Sequence, residues 1–159
     1  MMQEVERLAA ALQLVPHPEG GWYRETYRSQ ASVSTPDGRL RSALTNIYFL
    51  LTVETFSAWH RIDADETWHF YRGGDLVVSI IRPDGVLEER RIGPDGPWQT
   101  TVPAGSYFAA HVHESAAYAL VGCSVAPGFD FSGFELGSRD ALIAKYPQHT
   151  SEILRFTRE

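Results

Sequence analysis

The sequence contains one cysteine, Cys123, so an internal disulfide is excluded. It sits in the apolar run AYALVGCSV, where a buried, inert thiol is expected rather than a nucleophile. Lone-cysteine usage suits a reducing compartment, and a cytoplasmic location is expected. Positive charge is also scarce. Fourteen Lys and Arg stand against twenty Asp and Glu, giving a net charge of −6, and no basic run exceeds Arg90-Arg91. That balance leaves no electrostatic footprint for nucleic acid. Long apolar runs are missing, so no membrane partner is expected. The short apolar stretch near the N-terminus follows Glu4 and Glu6, where a secretory signal would carry Lys or Arg. Repeats, low-complexity segments and linkers are absent too, and 159 residues suffice for one core. A single domain over residues 1–159 is expected.

What is present is mostly strand texture. Val5, Leu8, Ala9 and Leu12 fall at helical spacing and predict a short helix over residues 3–13. Runs rich in β-branched and aromatic residues then alternate with Gly and Pro turns every eight to twelve residues, from Trp22 to about residue 136. Gly73-Gly74 reads as the turn of a hairpin. Ser138 is an N-cap candidate, and short helices are expected between 138 and 157, interrupted at Pro147. The pattern describes an all-β sandwich or barrel with short terminal helices.

The chemistry concentrates in WHRIDADETWHFYRGG, Trp59 to Gly74. His60 is followed by Glu66 six residues later and by Gly73 seven beyond that. Downstream, VPAGSYFAAHV carries a Pro-x-Gly turn at Pro103 and Gly105. Together these resemble the two signature motifs of the cupin superfamily, roughly G-x5-H-x-H-x3,4-E-x6-G and G-x5-P-x-G-x2-H-x3-N. Further phrases, PHPEGGWYRETYRS, IYFLL, YALVGCSVAPGFDFSGFEL and a tail containing KYP, resemble the DUF985 (Cupin_5) branch from about Leu14 onward. The resemblance implies a double-stranded β-helix, or jelly-roll barrel, commonly a homodimer, with a small-molecule ligand inside. It supplies no reaction.

Metal-binding cupins hold a divalent transition metal with three histidines and one glutamate. Here His60 stands at the first histidine and Glu66 at the glutamate, but Ile62 and Phe108 occupy the other two histidine positions. Successive strand residues face opposite ways. If Glu66 points inward, Trp68 and Phe70 join it and His69 points out; if Phe108 points inward, His111 points out. Only a β-bulge would bring His69 or His111 to a metal held by His60 and Glu66. No cofactor is therefore assigned.

His60 and Glu66 remain a candidate proton-transfer pair, because a carboxylate can orient an imidazole that titrates near neutrality. Some cupin sugar-nucleotide epimerases use a histidine base and a tyrosine acid without metal; Tyr48, Tyr107 and Tyr118 are the tyrosines considered for the acid. The ligand-binding set expected is Trp22, Arg24, Tyr48, His60, Glu66, Trp68, Phe70 and Phe108. Three functions stay open: a metal-independent isomerase or epimerase acting on a sugar- or ring-like ligand, a metal-dependent oxygenase or lyase, and a non-catalytic binding module. HPEGG and HESAA lack the second histidine of zinc proteases.

Overall fold

The computed structural model describes residues 2–158. Helix α1 (Met2–Ala11) ends two residues earlier than its periodicity predicts, because Gln13 takes a positive φ of 54° and turns the chain toward the sheet. Strands β1 (Val15–Pro16), β2 (Trp22–Arg28), β3 (Ser32–Ser34) and β4 (Leu40–Ser42) follow. Next come β5 (Thr45–Thr52), β6 (Phe56–Ile62), β7 (Asp65–Gly73), β8 (Leu76–Ile81) and β9 (Leu87–Ile92). Strands β10 (Gln99–Val102), β11 (Tyr107–Val112), β12 (Tyr118–Ala126) and β13 (Phe134–Leu136) complete the set, before helices α2 (Arg139–Lys145) and α3 (Thr150–Arg155).

Two antiparallel sheets face each other. One has the order β1-β2-β5-β12-β7-β10, the other β13-β6-β11-β8-β9, and β3-β4 form a separate ribbon. The inward side chains of both sheets, among them Phe49, Ile62, Trp68, Val78, Phe108 and Val121, make the main core. This is the jelly-roll barrel with short helices that the turn spacing and the family likeness led us to expect. No helix among the described residues is long and apolar enough to cross a membrane.

Gly73-Gly74 is not a hairpin turn. Strand β7 pairs with β10 and β12, whereas β8 pairs with β11 and β9, so the two glycines carry the chain from one sheet to the other. The crossing needs glycine: Gly73 has a φ of +100°, and a Cβ there would lie 2.3 Å from the Tyr118 carbonyl oxygen. Local turn chemistry looks the same for a hairpin and for an arch between sheets, and only the long-range pairing separates them.

The helices cover the outer faces. Val5, Leu8 and Ala9 of α1 pack on Leu50, Tyr118, Leu120 and Trp22. The C-terminal segment packs Leu142, Ile153 and Phe156 against Trp59, Ile81 and Tyr107 of the second sheet. Phe156 meets Phe56 edge-on at 5.7 Å and stacks on His111 at 4.7 Å. Phe156→Ala should cost about 3 kcal/mol, as expected for a large ring removed from a closed site. Urea denaturation would read it, and a loss under about 1 kcal/mol would show that this tail only lies against the barrel.

Candidate functional site

A cavity of about 310 Å³ opens at one end of the barrel, between β2, β5, β6, β7 and β12 and the segment after β12. Its floor carries His17, Glu19, His60 and Glu66. Its walls are apolar, with Ile47, Phe49, Ile62 and Val125 joined by Tyr23, Phe129 and Phe131. Glu25, Arg28 and Asp130 also line it. A concave, largely apolar site with a few converging polar groups is what small-molecule recognition requires.

His60 reaches the floor through a bulge. Strand β11 pairs Phe108 with His60 and Ala110 with Ser57, so two residues of β11 span three of β6. The extra β6 residue lets Ser57 and His60 both face inward although they are three apart. Both then meet Glu19. The Ser57 hydroxyl donates to Glu19 Oε1 at 2.9 Å, and His60 Nε2 lies 3.0 Å from Glu19 Oε2. Glu19 arrives from the loop before β2. That loop is pinned by the Ala58 N–H donating to the Glu19 carbonyl at 2.9 Å, and by Arg158 Nη1 donating to the same oxygen at 2.8 Å.

The hydrogen bonds fix the proton count. His60 Nδ1 lies 2.7 Å from the Ala58 carbonyl oxygen, which can only accept, so Nδ1 carries a hydrogen. In the neutral ring Nε2 is then a lone pair facing a carboxyl oxygen. One proton must lie between Glu19 and His60. Burial pushes the Glu19 carboxyl up to about 7, against the opposing influence of His17, Ser57 and Arg158. Burial also holds His60 below its ordinary value, outweighing Glu66 and the Ala58 hydrogen bond. Both shifts favour the neutral pair, in which Glu19 holds the proton and donates to His60 Nε2.

Glu66 is the second carboxyl. Burial raises it to about 7, with the nearby Glu19 adding and His60 and the Cys123 thiol opposing. The Cys123 thiol, raised well above its ordinary value chiefly by burial, lies close enough to Glu66 to oppose its upward shift, and no stronger donor reaches that carboxyl among the described residues. It is inert as a nucleophile and acts as a weak donor behind the carboxyl.

The other expected site residues divide. Trp68 and Phe108 point inward but are fully buried, and Phe108 sits 4.0 Å from the His60 ring. Trp68 meets Phe49 and Phe108 edge-on, and Phe70 packs beside them, so all three form the solid core behind the cavity. Trp22, Arg24 and Tyr48 lie outside it. Along β2 it is Tyr23 and Glu25 that line the cavity, while Trp22 packs under α1 and Arg24 reaches Gln13 Oε1 at 3.2 Å. Thr45, Ile47 and Phe49 of β5 face in, so Tyr48 faces out and meets Tyr71 at 6.0 Å. Alternation along these strands was legible, but not which alternate faced in. Nor do the other two tyrosines considered for the acid reach the cavity: Tyr107 donates to Glu135 and Tyr118 to Glu4. The tyrosine on the cavity wall is Tyr23.

The residues do not fit a cupin metal. Ile62 lines the cavity and Phe108 is packed inside where two imidazoles would be needed. His69 points outward to Ser124 Oγ at 3.2 Å, and His111 stacks on Phe156 beneath the C-terminal tail. Register shifts occur in β6, at Thr26 of β2 and at Tyr71 of β7, and none turns either histidine inward: the β7 shift falls beyond His69, which still faces Ser124. Both His60 nitrogens are already engaged, and among the described residues no three His, Cys, Asp or Glu side chains converge as a metal site.

Glu19 and His17 were not among the expected residues. The pair Gly20-Gly21, with φ of 114° and 75°, marks a tight turn after Glu19 in the sequence but does not say that the Glu19 side chain faces inward.

The model of the family described as Cupin superfamily (DUF985), Cupin_5, matches residues 6–137. The chain is 27% identical over 144 residues to the uncharacterised protein YML079W of Saccharomyces cerevisiae, covering 80% of this chain and 72% of the yeast one. Among solved structures, a hypothetical protein from Leishmania major is 38% identical, with a TM-score of 0.92 over 97% of this chain and 98% of that one. Oxalate decarboxylase from Bacillus subtilis superposes at a TM-score of 0.58 with 15% identity, over 89% of this chain and 36% of the enzyme. That likeness is one of fold.

Proposed function

This chain belongs to the Cupin_5 (DUF985) family of the cupin superfamily, and from that premise we propose that it binds a small ring-shaped molecule in the barrel and moves a proton on it without a metal, as an isomerase or epimerase does. The single proton shared by Glu19 and His60, beside a separate Glu66 carboxyl, supports this reading most directly. Acid–base catalysis works best when the groups titrate near the operating pH, and both carboxyls are raised to about 7.

The step balances with these groups alone. Ionised Glu66 takes the proton from a carbon beside a ligand carbonyl. Glu19, swinging its proton from His60 Nε2 to the carbonyl oxygen, produces an enol, and recovers that proton as Glu66 returns one to carbon. Return to the same carbon exchanges its hydrogen with solvent, and the centre inverts only when the enol turns its other face to Glu66 before the proton returns. The apolar walls keep bulk water from the enol, and Ser57 holds Glu19 in register with His60.

Solvent deuterium incorporation tests the proposal. Cyclic ketones and reducing sugars incubated in D2O should gain deuterium beside the carbonyl at a rate that falls at least ~100-fold in Glu66→Gln, the ordinary contribution of a positioned base. Tight ligand binding with no exchange in the wild type would overturn proton transfer and leave a binding module.

A further inference from the structure

We infer that the polar end of the ligand is a protonated amine, seated on Glu66 among aromatic rings, and that anions are turned away. The inference rests on the small-molecule site proposed above and adds its charge class.

Among the described residues the cavity floor carries no guanidinium or ammonium. Four carboxyls line the cavity, Glu19, Glu25, Glu66 and Asp130, against one guanidinium, Arg28. That guanidinium is neutralised by a carboxylate: Nη2 donates to Glu25 Oε1 at 2.6 Å and to the Phe129 carbonyl at 3.0 Å, and Nε donates to Glu25 Oε2 at 3.3 Å, while the side chain is half-exposed. The two histidines do not add charge. His17 Nδ1 accepts the Glu19 N–H at 3.2 Å, His60 faces Glu19, and burial holds both rings below their ordinary values. A carboxylate or phosphate entering the floor would lose its water and find no cation to replace it.

Three of the four carboxyls are occupied. Glu19 has Ser57 and His60, Glu25 has Arg28, and Asp130 accepts the Ser132 N–H at 2.8 Å. Glu66 differs. It is only 7% exposed, yet among the described residues the one donor beside its carboxyl is the weak Cys123 thiol. Its carboxyl borders the open cavity with no strong donor opposite it among the described residues, which leaves that place to a donor on the ligand.

The walls choose between donors. Tyr23, Phe49, Phe129 and Phe131 present four rings to the same space. A cation within about 6 Å of a ring face is attracted by it, whereas a hydroxyl gains only the hydrogen bond. An ammonium therefore satisfies Glu66 and the rings together. Because Glu66 is raised to about 7, seating a cation on it drives its ionisation and releases a proton near neutral pH. Glu19, His60 and the Cys123 thiol are the titratable groups acting on Glu66 there.

Titration calorimetry with benzylamine, benzyl alcohol and benzoate, which share a ring and differ in charge, is the test. Benzylamine should bind at least about ten-fold more tightly than benzyl alcohol, benzoate should give no saturable heat, and proton release should appear as a buffer-dependent enthalpy at about pH 6.5. Glu66→Gln should bring benzylamine to within about three-fold of benzyl alcohol, and Phe129→Leu should weaken benzylamine selectively. Benzoate or benzyl alcohol binding as tightly as benzylamine, an unchanged ranking in Glu66→Gln, or no saturable benzylamine binding below about 10 mM would overturn the inference. The readout is separate from catalysis. Exchange without an amine preference removes this inference and keeps the proton transfer; an amine preference without exchange does the reverse.

Discussion

Glu66→Gln should make the protein more stable than wild type at pH 8, by about 3 kcal/mol, with the advantage shrinking to under about 1 kcal/mol at pH 5. The carboxyl is raised from 4.5 to about 7 in the folded chain, with burial the leading cause. Below pH 4.5 both folded and unfolded states hold the proton, and the carboxyl's contribution to stability is fully present. As pH rises, the unfolded carboxyl ionises first, and that contribution is lost until the folded group has also ionised above pH 7. Glutamine never ionises, so the variant keeps what wild type loses. His17 and His60 are shifted downward and contribute with the opposite sign, but they are common to both proteins and largely cancel in the difference. Urea midpoints at pH 5, 6, 7 and 8 would trace the gap. A variant less stable than wild type at pH 8 would mean that Glu66 is a satisfied structural carboxylate, and both the proton transfer and the amine seat would go with it.

The stabilising direction itself bears on function. A carboxyl kept at the end of a barrel where it weakens folding at neutral pH is typical of a site arranged for a ligand or a reaction rather than for stability. His60 and Glu66 were legible as inward residues because motif spacing fixes them, and Ile62 and Phe108 were legible as replacements for ligands on the same ground. The jelly roll was legible from turn spacing, since alternating strands between Gly and Pro turns have few other ways to bury one face. Sequence could not say which alternate of β2 and β5 faces in. Trp22 is as apolar as Tyr23, and its burial under α1 depends on a contact with a helix distant in pairing. Glu19 was hidden for a different reason. A surface loop with an acidic residue beside two glycines usually stays in water, and only the β6 bulge, itself invisible in local pattern, creates the inward Ser57 and His60 that receive it.

Gly20→Ala should therefore both cost about 3–5 kcal/mol and abolish proton transfer. Gly20 has a φ of +114°, outside the ordinary range of an alanine, and a Cβ built on it would lie 2.0 Å from the Phe56 carbonyl oxygen and 2.5 Å from Arg158 Nη2. The side chain of Arg158 can swing away, but the backbone oxygen belongs to β6 and cannot move without the strand. Either β6 shifts, spoiling the bulge that aims Ser57 and His60, or the loop lifts, withdrawing Glu19. Each route separates Glu19 Oε2 from His60 Nε2, now 3.0 Å apart, and leaves the imidazole lone pair buried without its proton donor. Gly38→Ala supplies the control, because Gly38 has a comparable φ of +83° but a Cβ there would meet nothing within 4 Å. It should cost only the backbone strain, about 1–2 kcal/mol, and leave exchange intact. Equal losses at the two positions would mean that the loop before β2 is not held against β6, and that the pairing of Glu19 with His60 does not organise the cavity floor.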